Sequence, residues 1–216
     1  MISSERSGPV AREAYPFILG SAFATVIIAV LGLYVLALFF LLFTSFVCLF
    51  FRDPERVIPG KEGIVVSPAD GKVVEVSVVQ DSDFAAEKIL KISIFMSIFN
   101  VHVNRIPDDG TVTDVNYYPG KFFSANLDKA SKNNERNAVS LEISRGRKLI
   151  VVQVAGLIAR RIICKIRKGD RLSRGDRFGM ICFGSRLDVY LPPDTVPAVS
   201  VGDKVLAGTS ILGDLS

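Results

Sequence analysis

Residues Lys88 to Pro107 read KILKISIFMSIFNVHVNRIP, and apolar and polar side chains alternate for much of that length. A period of two is the signature of a strand with one face in a core and one outside. The stretch therefore predicts one long strand or two in succession, and Asp108-Asp109-Gly110 then turns the chain. The pattern continues on both sides. Upstream, IVVSPADGKVVEVSVV (Ile64 to Val79) places two β-rich runs around the turn Pro68-Ala69-Asp70-Gly71. Downstream, AVSLEIS, KLIVVQVAGLIA, RRIICKI and RFGMICFGSRLDVYLP follow in the same style up to Pro192. Between Tyr117 and Asn137 the chain is polar, rich in asparagine and aperiodic, which predicts a long functional loop with at most a helical turn.

A weak internal echo runs through the last third. KGDRLSRGDRFGMI (Lys168 to Ile181) and VGDKVLAGTSILG (Val201 to Gly213) share a Gly-Asp turn followed closely by another glycine. Both look like the tight hairpins of lipoyl-like β folds. Residues 64–216 are expected to be mainly β, a compact barrel or sandwich. No strand-helix alternation and no phosphate-binding glycine loop points to a nucleotide fold.

The N-terminal quarter is different. From Phe17 to Phe51 there is no charged residue in 35 positions, and the run is apolar all round instead of striped. That is the composition of a membrane segment. One straight helix of that length would reach roughly 52 Å at about 1.5 Å per residue, against a hydrocarbon core of about 30 Å. The expectation is two helices broken near Gly32, as a shallow hairpin or two short spans; a buried helix pair is the alternative. No small-residue cleavage site follows, so the segment is expected to be retained. Arg6 and Arg12 before it, and Arg52, Arg56 and Lys61 after it, put positive charge at both ends, as an anchor on the cytoplasmic face of the cell membrane would. The organisation read from the chain is thus a tail (1–16), an anchor (17–51), a linker (52–63) and a β domain (64–216).

Composition narrows the chemistry. The 216 residues carry a net charge of +4, with eight basic residues between Arg160 and Arg177 against Asp170 and Asp176. Such a stretch suits an anionic lipid surface, or is the solvated face of a strand. Few aromatics interleave it, which argues against nucleic acid. Cys48, Cys164 and Cys182 lie far apart, and His102 is the one histidine, so neither a metal site nor a disulfide framework is expected.

An enzyme without metal or nucleotide can still make an electrophile from its own chain. Gly184-Ser185 lies between two strand-like runs. A serine hydroxyl can attack the preceding carbonyl when the peptide is held in an unusual conformation, and glycine tolerates such conformations. The resulting ester can eliminate, leaving a chain that ends at Gly184 and a pyruvoyl group at position 185. That ketone can form a Schiff base with an amine and draw electrons as CO₂ leaves. By itself Gly-Ser most often marks a turn.

Five segments supply more. SPADG (67–71), FNVHVNRIP (99–107), PGKFFSANLDKASKNNERN (119–137), VQVAGLIARRI (152–162) and RFGMICFGSRLDVYLP (177–192) occur in an order that resembles the short bacterial and archaeal form of the phosphatidylserine decarboxylase family. RDPER after the apolar run fits the same resemblance. It implies a self-cleaving proenzyme, cut between Gly184 and Ser185 into a β chain (1–184) and an α chain (185–216) that stay associated. It further implies a pyruvoyl cofactor derived from Ser185, and decarboxylation of phosphatidyl-L-serine to phosphatidylethanolamine. Ser185 matches the residue that becomes pyruvoyl, and Asp70 matches an aspartate linked to self-cleavage. His102 matches the first of two family histidines, while Arg105 stands at the second, so a complete Asp-His-Ser relay does not carry over. Two roles for His102 stay open, base for self-cleavage or acid and base around decarboxylation. Residues 133–137 either line a headgroup pocket or pin the loop; Phe122 and Phe123 dip toward acyl chains or pack in the core. The rival readings are a non-catalytic membrane-tethered adaptor, and the same chemistry on another serine phospholipid such as archaetidylserine. Homo-oligomer formation is left open.

Overall fold

The computed structural model describes residues 8–80, 88–123, 133–157, 161–182 and 184–215. The centre of the asparagine-rich segment, together with Arg160 and Phe183, lies outside the described residues. The chain divides into two units, Glu5–Glu55 and the β domain from Arg56 onward.

In the first unit, α1 (Tyr15–Val30) and α2 (Tyr34–Phe50) run antiparallel, joined at Leu31–Leu33. Gly32 turns the corner at φ +74°, a left-handed angle that glycine adopts at little cost. The hairpin is closed at its open end by the Ala11 N–H donating to Phe51 O at 2.8 Å, and midway by Thr44 Oγ1 donating to Ser21 Oγ at 2.9 Å. Val30, Tyr34, Val35 and most of the large apolar side chains of both helices face outward. Arg12–Val30 is long and apolar enough to cross a membrane, and Tyr34–Phe50 is shorter. Polar hydroxyls meet inside and apolar groups point out, the inverse of a water-soluble helix pair.

The β domain is built from β1 (Ile64–Val66), β2 (Gly71–Gln80), β3 (Lys88–Met96), β4 (Val103–Arg105), β5 (Gly110–Tyr118), β6 (Arg136–Ile143) and β7 (Lys148–Val154). β8 (Ile162–Cys164), β9 (Arg171–Leu172), β10 (Arg177–Ile181), β11 (Ser185–Leu191), β12 (Val196–Pro197), β13 (Lys204–Val205) and β14 (Ile211–Asp214) complete it. The main sheet is curled and runs β13-β2-β3-β11-β7-β6-β5-β9; two small sheets, β1-β14-β12 and β4-β10-β8, accompany it. The expected mainly β domain with its preceding helical hairpin is what the chain forms, and the stretch from Lys88 to Pro107 becomes β3 and β4 in succession.

The main sheet reads nearly the same from either end, and the sequence echo is the reason. β13 pairs with the start of β2 (Val205 with Gly71), as β9 pairs with the start of β5 (Leu172 with Gly110). The Val66 N–H donates to Pro107 O, and the Arg105 N–H donates to Pro68 O, both at 2.9 Å. Gly175 and Gly208, second glycines of the two echoed hairpins, are held at φ +87° and +73°. A Cβ on either would come within 3.0 Å of Ile58 Cδ1, so one isoleucine wedges against both copies.

β11 lies at the centre of this near-symmetric sheet, between β3 and β7. Leu187, Val189 and Leu191 join the large core with Ile92, Ile94, Leu141 and Val151, while Tyr190 packs on the other face with Ile150, Val152 and Val154. Every residue of β11 is buried.

On β2 and β3, Glu75 accepts from Ser77 and Ser93 and pairs with Lys91 at 2.8 Å. Partial burial alone would raise the Glu75 pKa, but Lys91 and the serine hydroxyls outweigh it and hold the carboxyl below its ordinary 4.5. A lowered carboxylate pKa contributes stability that is present above 4.5 and lost as pH falls through the folded-state value. Replacing Glu75 with glutamine should therefore lower thermal stability at pH 7 by about 0.5–1 kcal/mol, since the pair is partly exposed. The difference from wild type should shrink as the melts are repeated at pH values falling progressively below 4.5, because the native carboxylate then takes up its proton.

Candidate active site

The segment Arg177 to Pro192 forms β10, a short crossing and β11. Gly184 sits at φ +56°, and a Cβ built on it would meet nothing within 4 Å. The backbone angle, not crowding, calls for glycine. Ser185 opens β11 opposite Met96, the last residue of β3, and is fully buried. Its hydroxyl donates to Met96 Sδ at 3.4 Å. A thioether is a weak acceptor and no base, so the hydroxyl is oriented there without being activated.

Ser185 belongs to a polar row cut into the end of an apolar face. On β6 the core-facing positions are Asn137, Val139, Leu141 and Ile143; on β7 they are Leu149, Val151 and Gln153; on β11 they are Ser185, Leu187, Val189 and Leu191. Each row turns polar at the same end of the sheet. Asn137 Nδ2 donates to Gln153 Oε1 at 3.0 Å, and Gln153 Nε2 donates to Asn104 Oδ1 at 2.9 Å. Asn104 Nδ2 then points to Met96 Sδ at 3.9 Å, the sulfur that also receives the serine hydroxyl. All five side chains are buried. Buried amides carry a desolvation cost of about 1–3 kcal/mol per unpaired group, and here each is paired in line. Met96, Asn104 and Gln153 were not singled out from sequence, although a polar residue interrupting an apolar alternation was the available signal.

Gly179 on β10 makes room for this row. A Cβ there would stand 2.2 Å from Ile163 O and 3.0 Å from Gln153 Nε2.

His102 is fully buried, two residues upstream of Asn104 and just before β4. Arg105, at the position where the family resemblance expects a second histidine, faces away from this row and donates to Gly175 O at 3.0 Å, inside the echoed hairpin. Asp70 is buried and held at both carboxylate oxygens. Its Oδ2 accepts from Arg56 at 2.8 Å and its Oδ1 from the Ala207 N–H at 2.7 Å. Asp109 holds the corresponding turn of the other half, accepting from the Arg174 N–H at 2.8 Å.

The loop residues divide by role. Asn134 clamps the loop, exchanging hydrogen bonds with the Phe123 backbone and donating to Ala155 O at 2.7 Å. The Arg136 guanidinium stacks 4.7 Å over the Tyr118 ring. Phe122 packs with Ala155, Ile162 and Ile181, whereas Phe123 is exposed. Within the basic stretch, Arg174 is a tether to Asp108 at 2.7 Å and to the carbonyls of Pro59 and Lys61, while Arg161, Lys165, Arg167, Lys168 and Arg171 are exposed. Among the described residues no group of His, Cys, Asp and Glu could hold a metal ion.

Comparison with known proteins agrees with the sequence resemblance. Residues 43–213 match the sequence profile of the phosphatidylserine decarboxylase family. A phosphatidylserine decarboxylase proenzyme of Geotalea uraniireducens is 53% identical over 210 residues, covering 97% of this chain and 98% of its own. Proenzymes of the same description are 50% identical in Geobacter metallireducens, over 95% of this chain and 96% of the relative, and 51% identical in Nitratidesulfovibrio vulgaris, over 94% and 93%.

Because the Gly179 contacts are with backbone and a buried amide, Gly179→Ala should cost about 2–3 kcal/mol in thermal unfolding, whereas Gly169→Ala on an exposed turn should cost about 1 kcal/mol.

Proposed function

The chain belongs to the phosphatidylserine decarboxylase family and acts as a decarboxylase of phosphatidylserine, and from that premise we propose that it is cut between Gly184 and Ser185 and works through a pyruvoyl group made from Ser185. The observation that carries the proposal is the junction itself, a fully buried serine opening the central strand directly after a left-handed glycine.

Ser185 Oγ attacks the Gly184 carbonyl carbon and the peptide C–N bond breaks, leaving an ester and a free amine at position 185. A base removes the Ser185 Cα proton, the Cβ–Oγ bond breaks, and Gly184 leaves as a carboxylate that keeps the serine oxygen. The remaining enamine becomes an imine, adds water and releases ammonia. A pyruvoyl group at 185 supplies the electron sink for decarboxylation.

The residues present fit that group. Gly184 has open space on its Cβ side and a left-handed backbone angle, and Ser185 is fully buried against Met96. The fold also supports keeping both pieces together after a cut. β11 is bonded on one side to β3 and on the other to β7, β13 is bonded to β2, and β14 to β1. Every one of those ladders joins the segment after residue 184 to the segment before it.

His102 is proposed as the acid and base of the reaction at 185, since it is a buried imidazole on the segment that leads into Asn104. Asp70 is proposed to act from a distance, holding with Arg56 the turn that sets β2 against the end of β3. The helical hairpin is proposed to hold the enzyme on the cytoplasmic face of the membrane, where the exposed basic residues of 161–171 meet anionic headgroups. A pyruvoyl ketone engages the headgroup amine and not the tails, so a serine phospholipid with ether-linked tails is a second substrate to assay.

Mass spectrometry of active protein should give two chains, the smaller beginning at position 185 with a pyruvoyl terminus. Ser185→Ala should remain one chain of 23.6 kDa with no turnover; an intact chain that is fully active would refute the cleavage. His102→Ala should be cut yet lose about 10²–10⁴-fold in turnover. Gly184→Ala should fold with a loss of about 1–2 kcal/mol from its left-handed angle and be cut more slowly than wild type.

A further inference from the structure

The amide row ending at Met96 has a direction, and the direction is fixed by the residues behind it. Gln153 offers its Nε2 to Asn104 Oδ1 and to the Ile163 carbonyl, which can only accept, while its Oε1 accepts from Asn137 Nδ2. Asn104 Oδ1 is thereby used, so the end that faces Met96 is the N–H₂ group. The result is a buried donor aimed at a sulfur, a weak acceptor, when the chain pairs its other buried amides with oxygen. That same sulfur is the partner of the Ser185 hydroxyl.

We propose that Asn104, oriented by Gln153, is a positioning residue for self-cleavage, acting through the Met96 thioether to hold the rotamer from which Ser185 Oγ reaches the Gly184 carbonyl. This rests on cleavage at Gly184-Ser185 and adds to it three residues from three different strands or strand ends. Met96 has three rotatable bonds and is the most adaptable side chain that could stand opposite Ser185. Asn104 Nδ2 and the Ser185 hydroxyl meet at its sulfur. Without the amide the sulfur loses its polar restraint within the core, and the hydroxyl's contact with it is no longer fixed.

The assignment makes a prediction that packing alone does not. Gln153→Glu is isosteric but reverses polarity. An ionised carboxylate accepts from Asn137 and, by turning Asn104 over, from its N–H₂, which leaves Asn104 Oδ1 facing Met96. Protonating the glutamate restores a donor toward Asn104 and with it the native direction.

The full chain is synthesised in a cell-free reaction with phosphatidylcholine vesicles, and conversion of the intact chain to two pieces is timed on gels. Met96→Leu conserves volume and should fold. Met96→Leu, with a melting temperature near wild type, and Asn104→Ala, with a lower one because it removes the partner of a buried amide, should each slow cleavage about tenfold, and the double variant should be no slower than the slower single one, since both act through one sulfur. The rate of Gln153→Glu relative to wild type should be low at pH 8 and rise as the pH is lowered to 5. Cleavage at wild-type rates in these variants, additive effects in the double variant, or a Gln153→Glu ratio flat with pH would each overturn the assignment. Ser185→Ala separates the two levels. If the wild-type chain is not cut at Ser185, the cleavage reading fails; if it is cut there and the variants keep pace, the amide assignment alone fails.

Discussion

The rest of the structure depends on where the backbone leaves the ladder at Gly184. A strand buried on both faces and bonded to neighbours on both edges is the most constrained piece of a β domain, because each of its peptide groups is paired and each side chain packed. β11 is such a strand, and it begins at Ser185. One residue earlier the chain is in a left-handed turn with free space around it. The peptide between them joins a rigid half to an unconstrained half. A cut at that bond would not dismantle the sheet, because β11 would stay held by β3 and β7.

The near-symmetry of the sheet explains why this junction sits at its middle. Two hairpin copies, closed by Gly-Asp turns and wedged against Ile58, bring β2 and β5 to matching places, and the central pair β11 and β7 falls between them. Comparing the halves also shows which contacts recur with the fold. Asp70 and Asp109 each accept from the backbone of an echoed hairpin, so that duty belongs to the fold. The amide row has no counterpart of this kind. It replaces core-facing aliphatic residues at one end of β6, β7 and β11, and a protein keeps buried polar groups in such a place when they orient something.

Burial carries the electrostatics of the site. Asn137, Gln153, Asn104, Met96 and Ser185 are all shielded from water, so hydrogen bonds there keep their direction, and an amide cannot turn over without losing a partner on each side. The surface charges obey the opposite rule. Arg167 and Lys168 are exposed and screened, suited to a diffuse attraction to anionic lipid but not to fixing a reacting atom.

Much of this was legible in the chain. Alternation from Lys88 onward fixes strands because a period of two can bury only one side of an extended backbone, and the uncharged run from Phe17 to Phe51 forms helices, the first of them long and apolar enough to cross a membrane. Gly184-Ser185 could be named from chemistry and resemblance. The partners of Ser185 could not, since Met96, Asn104 and Gln153 lie on separate segments and meet only through strand register. Register is a property of the closed sheet: shifting a strand by one residue sends every side chain to the opposite face. The sequence by itself determined the strands, the helical hairpin and the serine, all set by local pattern. Only the tertiary structure decided that Asp70 ties a turn, that Arg105 serves the echoed hairpin, and that a line of amides ends at the sulfur beside Ser185, because those depend on which distant segments the core brings into contact.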